Sequence, residues 1–195
     1  FSDALDIDIS DNILIKNSIF SNPKNDSIDI MESNVLIDST EIDYSGDKGI
    51  SVGENSNVLV HNTHLFRNNI GLAVKDGSRT KVFYTDFNNN ILQVSGYQKN
   101  YKYGDGGKIE IFKSNFQGKN NKIESDLKSN IFIDDSTFNK KMLIKKSNIK
   151  LSNKVNFDNK KDTINNFNKN KIDTMFSLVK NVKNMNLRGS DFINK

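Results

Sequence analysis

The sequence predicts an all-β chain, a right-handed parallel β-helix solenoid with coils of about 22 residues, and three observations predict it. A large apolar rung returns at near-constant spacing: Phe20, Ile42, Leu65, Phe87, Phe116, Phe138 and Phe157. Two sets of alternating apolar pairs return in step with that rung. The intervals between them are filled by Asn, Asp, Gly and Ser, the residues of tight turns.

The first strand of each coil is read from Leu5/Ile7, Ile28/Ile30, Ile50/Val52, Leu72/Val74 and Leu92/Val94. The second is read from Ile13/Ile15, Val35/Ile37, Val58/Val60, Thr80/Val82, Ile109/Ile111 and Ile131/Ile133. Alternation with a period of two puts both members of a pair on one face of a strand. The third strand carries the single rung, with a hydroxyl two residues before it at Ser18, Thr40, Thr63, Thr85, Ser114 and Ser136, and Val155 in that place before Phe157. Asn12, Asn34, Asn57 and Asn130 stand just before second strands, where stacked amides can hydrogen-bond from coil to coil. A leucine-rich repeat has a similar period but needs one helix or turn per repeat and Leu at fixed offsets. An antiparallel sandwich would not hold one register through six coils.

Composition agrees with a thin solenoid. Hydrophobic residues make up 35% and mean hydropathy is −0.61, low for a thick core. The charge of +4 is uneven, with Asp concentrated early and Lys/Asn runs after Asn139. Those runs carry almost no Arg and few aromatics, so they read as a solvated face, and no nucleic-acid partner is expected. There is no Cys, hence no disulfide framework or thiolate site, and no apolar stretch approaches the ~20 residues of a membrane span. The chain opens at Phe1 without a signal-like stretch and reads as part of a longer bacterial protein, with an upstream domain expected. The division expected is a β-helix over 1–160 and a C-terminal cap over 161–195. In the latter, 172–182 has apolar residues at helical spacing and could form a capping helix over unpaired strand edges.

Outward positions of the first strands form the candidate face: Asp6 and Asp8, then Asp29, then Ser51, then Ala73 and Lys75, then Gln93 and Ser95. Glu54 and Asp76 stand at the turns that follow. The one large excess of residues falls between Val94 and Ile109, a loop containing Tyr97, Gln98, Lys99, Tyr101 and Tyr103 and closing on glycines. Such an insertion costs little when it leaves at a turn. Tyrosines beside a charged groove can stack on sugar rings, since each offers an apolar face and a hydroxyl. Tyr97, Gln98, Lys99, Tyr101, Tyr103 and Glu54 are therefore the expected substrate- or ligand-binding residues. His61 and His64, on second and third strands, are expected to face water.

The ladders, with the strings Asp3-Ala4-Leu5-Asp6-Ile7-Asp8, Asp47-Lys48-Gly49-Ile50-Ser51-Val52-Gly53-Glu54, Ile70-Gly71-Leu72-Ala73-Val74-Lys75-Asp76 and Tyr97-Gln98-Lys99, resemble the pectate-lyase-like superfamily of right-handed β-helices. They are closer still to β-helix regions of larger bacterial proteins, some of which carry a spore-coat-kinase-like domain. The wider resemblance implies lyases, epimerases and hydrolases of acidic sugars. In the lyases, carboxylates hold Ca²⁺ and a Lys or Arg removes a proton from the uronate. By that likeness Asp6, Asp8 and Asp29 are the metal ligands and Lys75 the catalytic base. No Arg stands on the strand beside Lys75, and the hydrolases' paired Asp motif is missing from this face. The expected function is thus a non-catalytic β-helix module of a secreted or cell-surface protein, binding glycan or a protein partner, in the extracellular space or cell envelope. The alternative is a Ca²⁺-dependent lyase or epimerase of uronate-containing polysaccharide.

Overall fold

The computed structural model of the chain describes residues 2–157 apart from 120, 140, 141, 146 and 147, and describes 142–145 by backbone alone. Seven coils of three strands stack into three seven-stranded sheets, and every pairing is parallel. The first sheet comprises Leu5–Asp8, Ile28–Met31, Lys48–Gly53, Ile70–Lys75, Leu92–Tyr97, Asn121–Ser125 and Met142–Lys145. The second runs from Ile13–Lys16 through Asn34–Asp38, Asn57–His61, Arg79–Phe83, Lys108–Phe112 and Asn130–Asp134 to Ile149–Leu151. The third is built of shorter strands, from Ile19–Ser21 to Asn156–Phe157. The segments expected to cap the solenoid, 161–195 with the 172–182 helix, lie outside the described residues.

Register explains why the ladders are legible. Phe20 pairs in turn with Ile42, Leu65, Phe87, Phe116, Phe138 and Phe157, the whole rung series. Ile13, Val35, Val58, Thr80, Ile109, Ile131 and Ile149 form the matching second-sheet column. All three sheets turn these side chains inward into one continuous core. Strands ~4.8 Å apart bring equivalent rings to stacking distance. Phe87 and Phe116 lie 4.8 Å apart between ring centres, and Phe116 and Phe138 lie 4.3 Å apart, with planes within 5° and 3° of parallel. The first sheet departs from expectation in one coil. Leu72 pairs with Val94 and Val74 with Gly96, so the inward pair there is Val94/Gly96 and Leu92 stands one pair earlier. The missing side chain at Gly96 leaves space occupied from the second sheet by Ile109 and Ile131.

A strand can enter the next sheet without a long loop only if the chain bends sharply, and left-handed residues supply the bend. Glu32, Glu54 and Asp76 turn the first-to-second corner (φ 46–54°). Asn17, Ser39, Asn62, Tyr84, Lys113 and Asp135 turn the second-to-third. Asn22, Tyr44, Arg67 and Asn89 turn the third-to-first. Asn and Asp tolerate this region best, while Tyr44 and Tyr84 occupy it at a cost that the stack offsets.

Buried polar side chains then satisfy the corner backbone. The hydroxyl ahead of each rung bridges the second-to-third corner, donating to the carbonyl two residues back: Thr40 to Asp38, Thr63 to His61, Thr85 to Phe83 and Ser136 to Asp134, at 2.8–3.1 Å. Serines line the first-to-second corner, where the Ser10, Ser33 and Ser56 N–H groups donate to Ser33, Ser56 and Ser78 Oγ. At the third-to-first corner Asn68 accepts from Ser45 N–H and Asn90 accepts from Asn68 N–H, both at 2.9 Å. Asn90 Nδ2 in turn donates to Leu65 O and Gln93 Oε1.

This last ladder corrects two expectations. Gln93, placed on the solvent face by strict alternation, is buried and continues the amide ladder to Gln117 O and Asn121 Oδ1. The amide stack expected ahead of the second strands is short: Asn57 donates to Asn34, and Asn34 donates to Asp11 rather than to Asn12, which is itself left-handed. The histidine expectation is corrected as well. It fails for His61, which is buried with Nδ1 2.7 Å from Asp38 Oδ1, and holds for His64, which is exposed with Nδ1 3.1 Å from Asp86.

Two predictions follow from the packing. Phe116→Ala opens a hole in the middle of the ring stack and should cost about 3–5 kcal/mol in denaturant unfolding. Burial pushes the Asp38 carboxyl up, but hydrogen bonds from His61 and Lys16 outweigh it and hold it below 3.8. A depressed carboxyl contributes stability in full above 3.8, and that contribution is lost as pH falls through the lower folded value. Asp38→Asn should flatten this acid-side loss in a series of melting curves.

Candidate binding face

On the outer side of the first sheet, register builds two columns. Asp6, Asp29, Ser51, Ala73, Ser95 and Glu124 form one. Asp8, Met31, Gly53, Lys75 and Tyr97 form the other, since Lys75 follows Val74, whose partner is Val52. The expected sequence of an acidic patch followed by a lysine is therefore present, but the middle of the face is closed. Ser51, Ala73, Ser95 and Lys75 are all buried rather than solvent-facing.

Lys75 is only 5% exposed. Its side chain folds back along the axis over Gly53, where a Cβ would stand 2.6 Å from Lys75 Cε. Nζ reaches Ser51 Oγ at 3.1 Å and Asp29 Oδ1 at 3.9 Å. The glycine one coil before the lysine is what lets the chain lie flat, and it is the signal in the sequence that this lysine is not held out to solvent. Asp29 Oδ1 also accepts from the Ile30 N–H, so this carboxylate is engaged by backbone and lysine. Asp6 is near Asp8, Asp29 and Asp3: burial, followed by repulsion from these neighbours, raises its carboxyl above 3.8. Among the described residues, no group of three or more His, Asp or Glu side chains converges as a metal cage. With Asp29 directed at an ammonium, the residues implied as Ca²⁺ ligands are a poor donor set for that ion.

The Tyr97–Gly107 segment leaves at the first-to-second corner and is tied down at several points. Asp76, left-handed and fully buried, accepts the Lys99 and Asn100 N–H groups on Oδ1, each at 2.7 Å. Asp126 Oδ2 accepts the Gln98 N–H at 2.7 Å. Burial pushes the Asp126 carboxyl up, and backbone and Ser129 hydrogen bonds more than reverse it. Gly77 N–H donates to Asp105 O and Gly106 O, closing the base. At the tip, Tyr101–Tyr103 forms one 3₁₀ turn capped by Asn100, whose Oδ1 accepts from Lys102 N–H. Gly104 follows at φ 79°, a conformation open to glycine.

The tyrosines diverge. Tyr101 is 87% exposed. Tyr103 donates to Glu32 Oε1 across 71 residues of sequence, at 3.2 Å. Tyr97 is half-buried, and its phenol is pushed up by burial while the charges of Lys48, Asp47 and Asp26 act on it. Glu54 sits beneath the loop, its carboxyl raised by burial against the opposing pull of Lys75 and with repulsion from Asp76 and Asp29. Of the expected site residues, the structure thus gathers Glu54, Lys75, Asp29, Tyr97 and Tyr103 around one corner. It directs Tyr101 outward, ties the Lys99 N–H to Asp76 and spends Gln98 within the loop, on Gly104 O. Sequence reasoning left out Asp126 as an anchor, and its only signal was an Asp in the turn one coil beyond the insertion.

Three parallel sheets wound by one chain, with a single side chain per coil position facing a shared core, define a parallel β-helix. The family model described as the right handed beta helix region matches residues 2–125, well over half of the chain, and the chain belongs to that family. Among curated proteins none matches the sequence significantly.

Replacing Asp76 by Ala removes the acceptor for two loop N–H groups. Amide exchange at Lys99 and Asn100 should accelerate by the equivalent of about 1–3 kcal/mol, with exchange in the second sheet unchanged. Asp76→Asn, which keeps an acceptor and suits the left-handed backbone, should restore most of the protection.

Proposed function

We propose that the protein is a non-catalytic binding module whose ligand is a polysaccharide, held by the outer face of the first sheet and the 97–107 loop. The observation that carries this reading is the construction of the loop. A fully buried carboxylate spends itself on two loop N–H groups and leaves Tyr101 87% exposed at the tip, beside Lys102 and above an acidic corner. Fixing an aromatic ring outward before the ligand arrives removes ordering cost from binding. A planar ring with a hydroxyl suits a sugar's mix of C–H and O–H surface.

The engagement of Lys75 favours binding over the lyase or epimerase reading. A general base must reach its proton at about 2.6–3.2 Å and must give up its own charge. Lys75 is folded under the face and only 5% exposed, hydrogen-bonded to Ser51 and facing Asp29, so its Nζ is spent within the protein rather than presented to a substrate. The proposal carries with it a secreted or cell-surface setting, where polysaccharide is met.

The test is binding to a panel of neutral and uronate-containing polysaccharides by calorimetry. Tyr101→Ala should weaken binding about 3- to 10-fold, the worth of one sugar-stacking ring, with unchanged circular dichroism. Unaltered affinity in Tyr101→Ala and Tyr103→Ala would remove the loop from the site. Release of unsaturated sugar products, lost in Lys75→Ala, would replace the binding reading with the lyase one.

A further inference from the structure

The third-to-first corner carries two side chains that the bend itself does not call for. Four left-handed residues stack there, Asn22, Tyr44, Arg67 and Asn89, at φ 54–59°. Asparagine adopts this backbone at low cost, whereas tyrosine and arginine strain it. Tyr84, at another corner, has a packing reason for its place, since its ring meets buried His61 edge-on at 5.7 Å. Tyr44 is instead 44% exposed and turned towards an exposed arginine. The guanidinium carbon of Arg67 lies 4.7 Å from the Tyr44 ring centre and 5.0 Å from that of Phe66. Its Nη1 also donates to the Tyr44 hydroxyl. Among the described residues Arg67 makes no ion pair, so two rings hold its plane and no carboxylate neutralises it. Ile91, two residues beyond Asn89 at the same corner, is 67% exposed.

We propose that Tyr44, Phe66, Arg67 and Ile91 form a docking patch for a protein partner that presents a carboxylate side chain beside an apolar one. The planar fork of a guanidinium matches a carboxylate with two parallel hydrogen bonds. Stacking on Tyr44 and Phe66 fixes that fork before the partner arrives, which removes ordering cost from binding. Tyrosine and arginine are the side chains that carry much of the binding energy at protein interfaces. An uncovered isoleucine beside them gains from an apolar neighbour, which a protein supplies better than a hydroxyl-rich sugar does. The patch lies at the start of the first-sheet strands and the 97–107 loop leaves from their far end. The separation is about 20 Å along a six-residue strand such as Lys48–Gly53. The inference therefore does not rest on the polysaccharide reading of the loop.

Two measurements on the full chain test it, and the first needs no partner. Tyr44→Asn combined with Arg67→Asn installs the residue type that the column already carries at Asn22 and Asn89. Relief of backbone strain should then leave Tm unchanged or raise it by a few degrees. A Tm several degrees lower would assign the cluster to the fold and overturn the proposal. The second measurement selects peptides from a phage-displayed library on the immobilised chain. Enriched peptides should carry Asp or Glu next to an apolar residue. They should bind Arg67→Lys roughly 10-fold more weakly, because lysine keeps the charge without the fork. Peptides that bind the doubly substituted variant as tightly as the parent, or no enrichment at all, would overturn the proposal. Weaker binding of a uronate polysaccharide by Arg67→Asn, with no peptide selected, would overturn it in favour of an acidic sugar.

Discussion

The fold depends on how each corner disposes of its backbone. A coil that bends three times in about 22 residues places three short stretches of unpaired N–H and C=O at the edge of a narrow core, where each would be costly if left dry. The protein answers with a left-handed residue at the bend and a buried Ser, Thr or Asn beside it that bonds within the corner or to the neighbouring coil. The apolar ladders supply most of the driving force for folding. The polar ladders decide where the coil turns and so keep the apolar rungs in register. Thr63, buried and bonded to His61 O, does for one corner what Leu65, two residues on, does for the core.

How much of this was legible follows from the same division. Inward strand positions obey a period of two and repeat with the coil, so Phe20 to Phe157 and Ile13 to Ile131 could be read directly. The hydroxyl before each rung was equally regular. Harder to read were positions where a residue's direction depends on a bend rather than on alternation. Gln93 looks like an outward residue between Leu92 and Val94, but hydrogen bonds with Asn90 and Asn121 hold its side chain in the buried amide ladder. His61 looks like a surface residue at a strand end until Asp38, one coil earlier, is placed beneath its ring.

The candidate face shows the same limit. Alternation placed Lys75 and Asp29 on one side of one sheet, and they meet there at 3.9 Å. What alternation could not convey is that the lysine runs along the stack rather than away from it. That depends on Gly53, a neighbour in space and not in sequence. Likewise the loop's tyrosines were visible as composition, whereas their separation into one exposed ring, one tethered ring and one half-buried ring follows from Asp76, Asp126 and Glu32. Those three anchors lie in three different coils.

The inserted segment also bears on how such a chain can change. Serine 78 and its successors keep their positions on either side of it, with Lys108 N–H donating to Ser78 O as if no residues had been added, and Gly107 accepting the place of a serine in the column. Coil length and coil register are therefore separate properties of this protein: length is taken up at a corner, outside the core, and register is held by groups that never leave it. A segment at that corner can be lengthened, shortened or rewritten while the rungs on both sides stay paired.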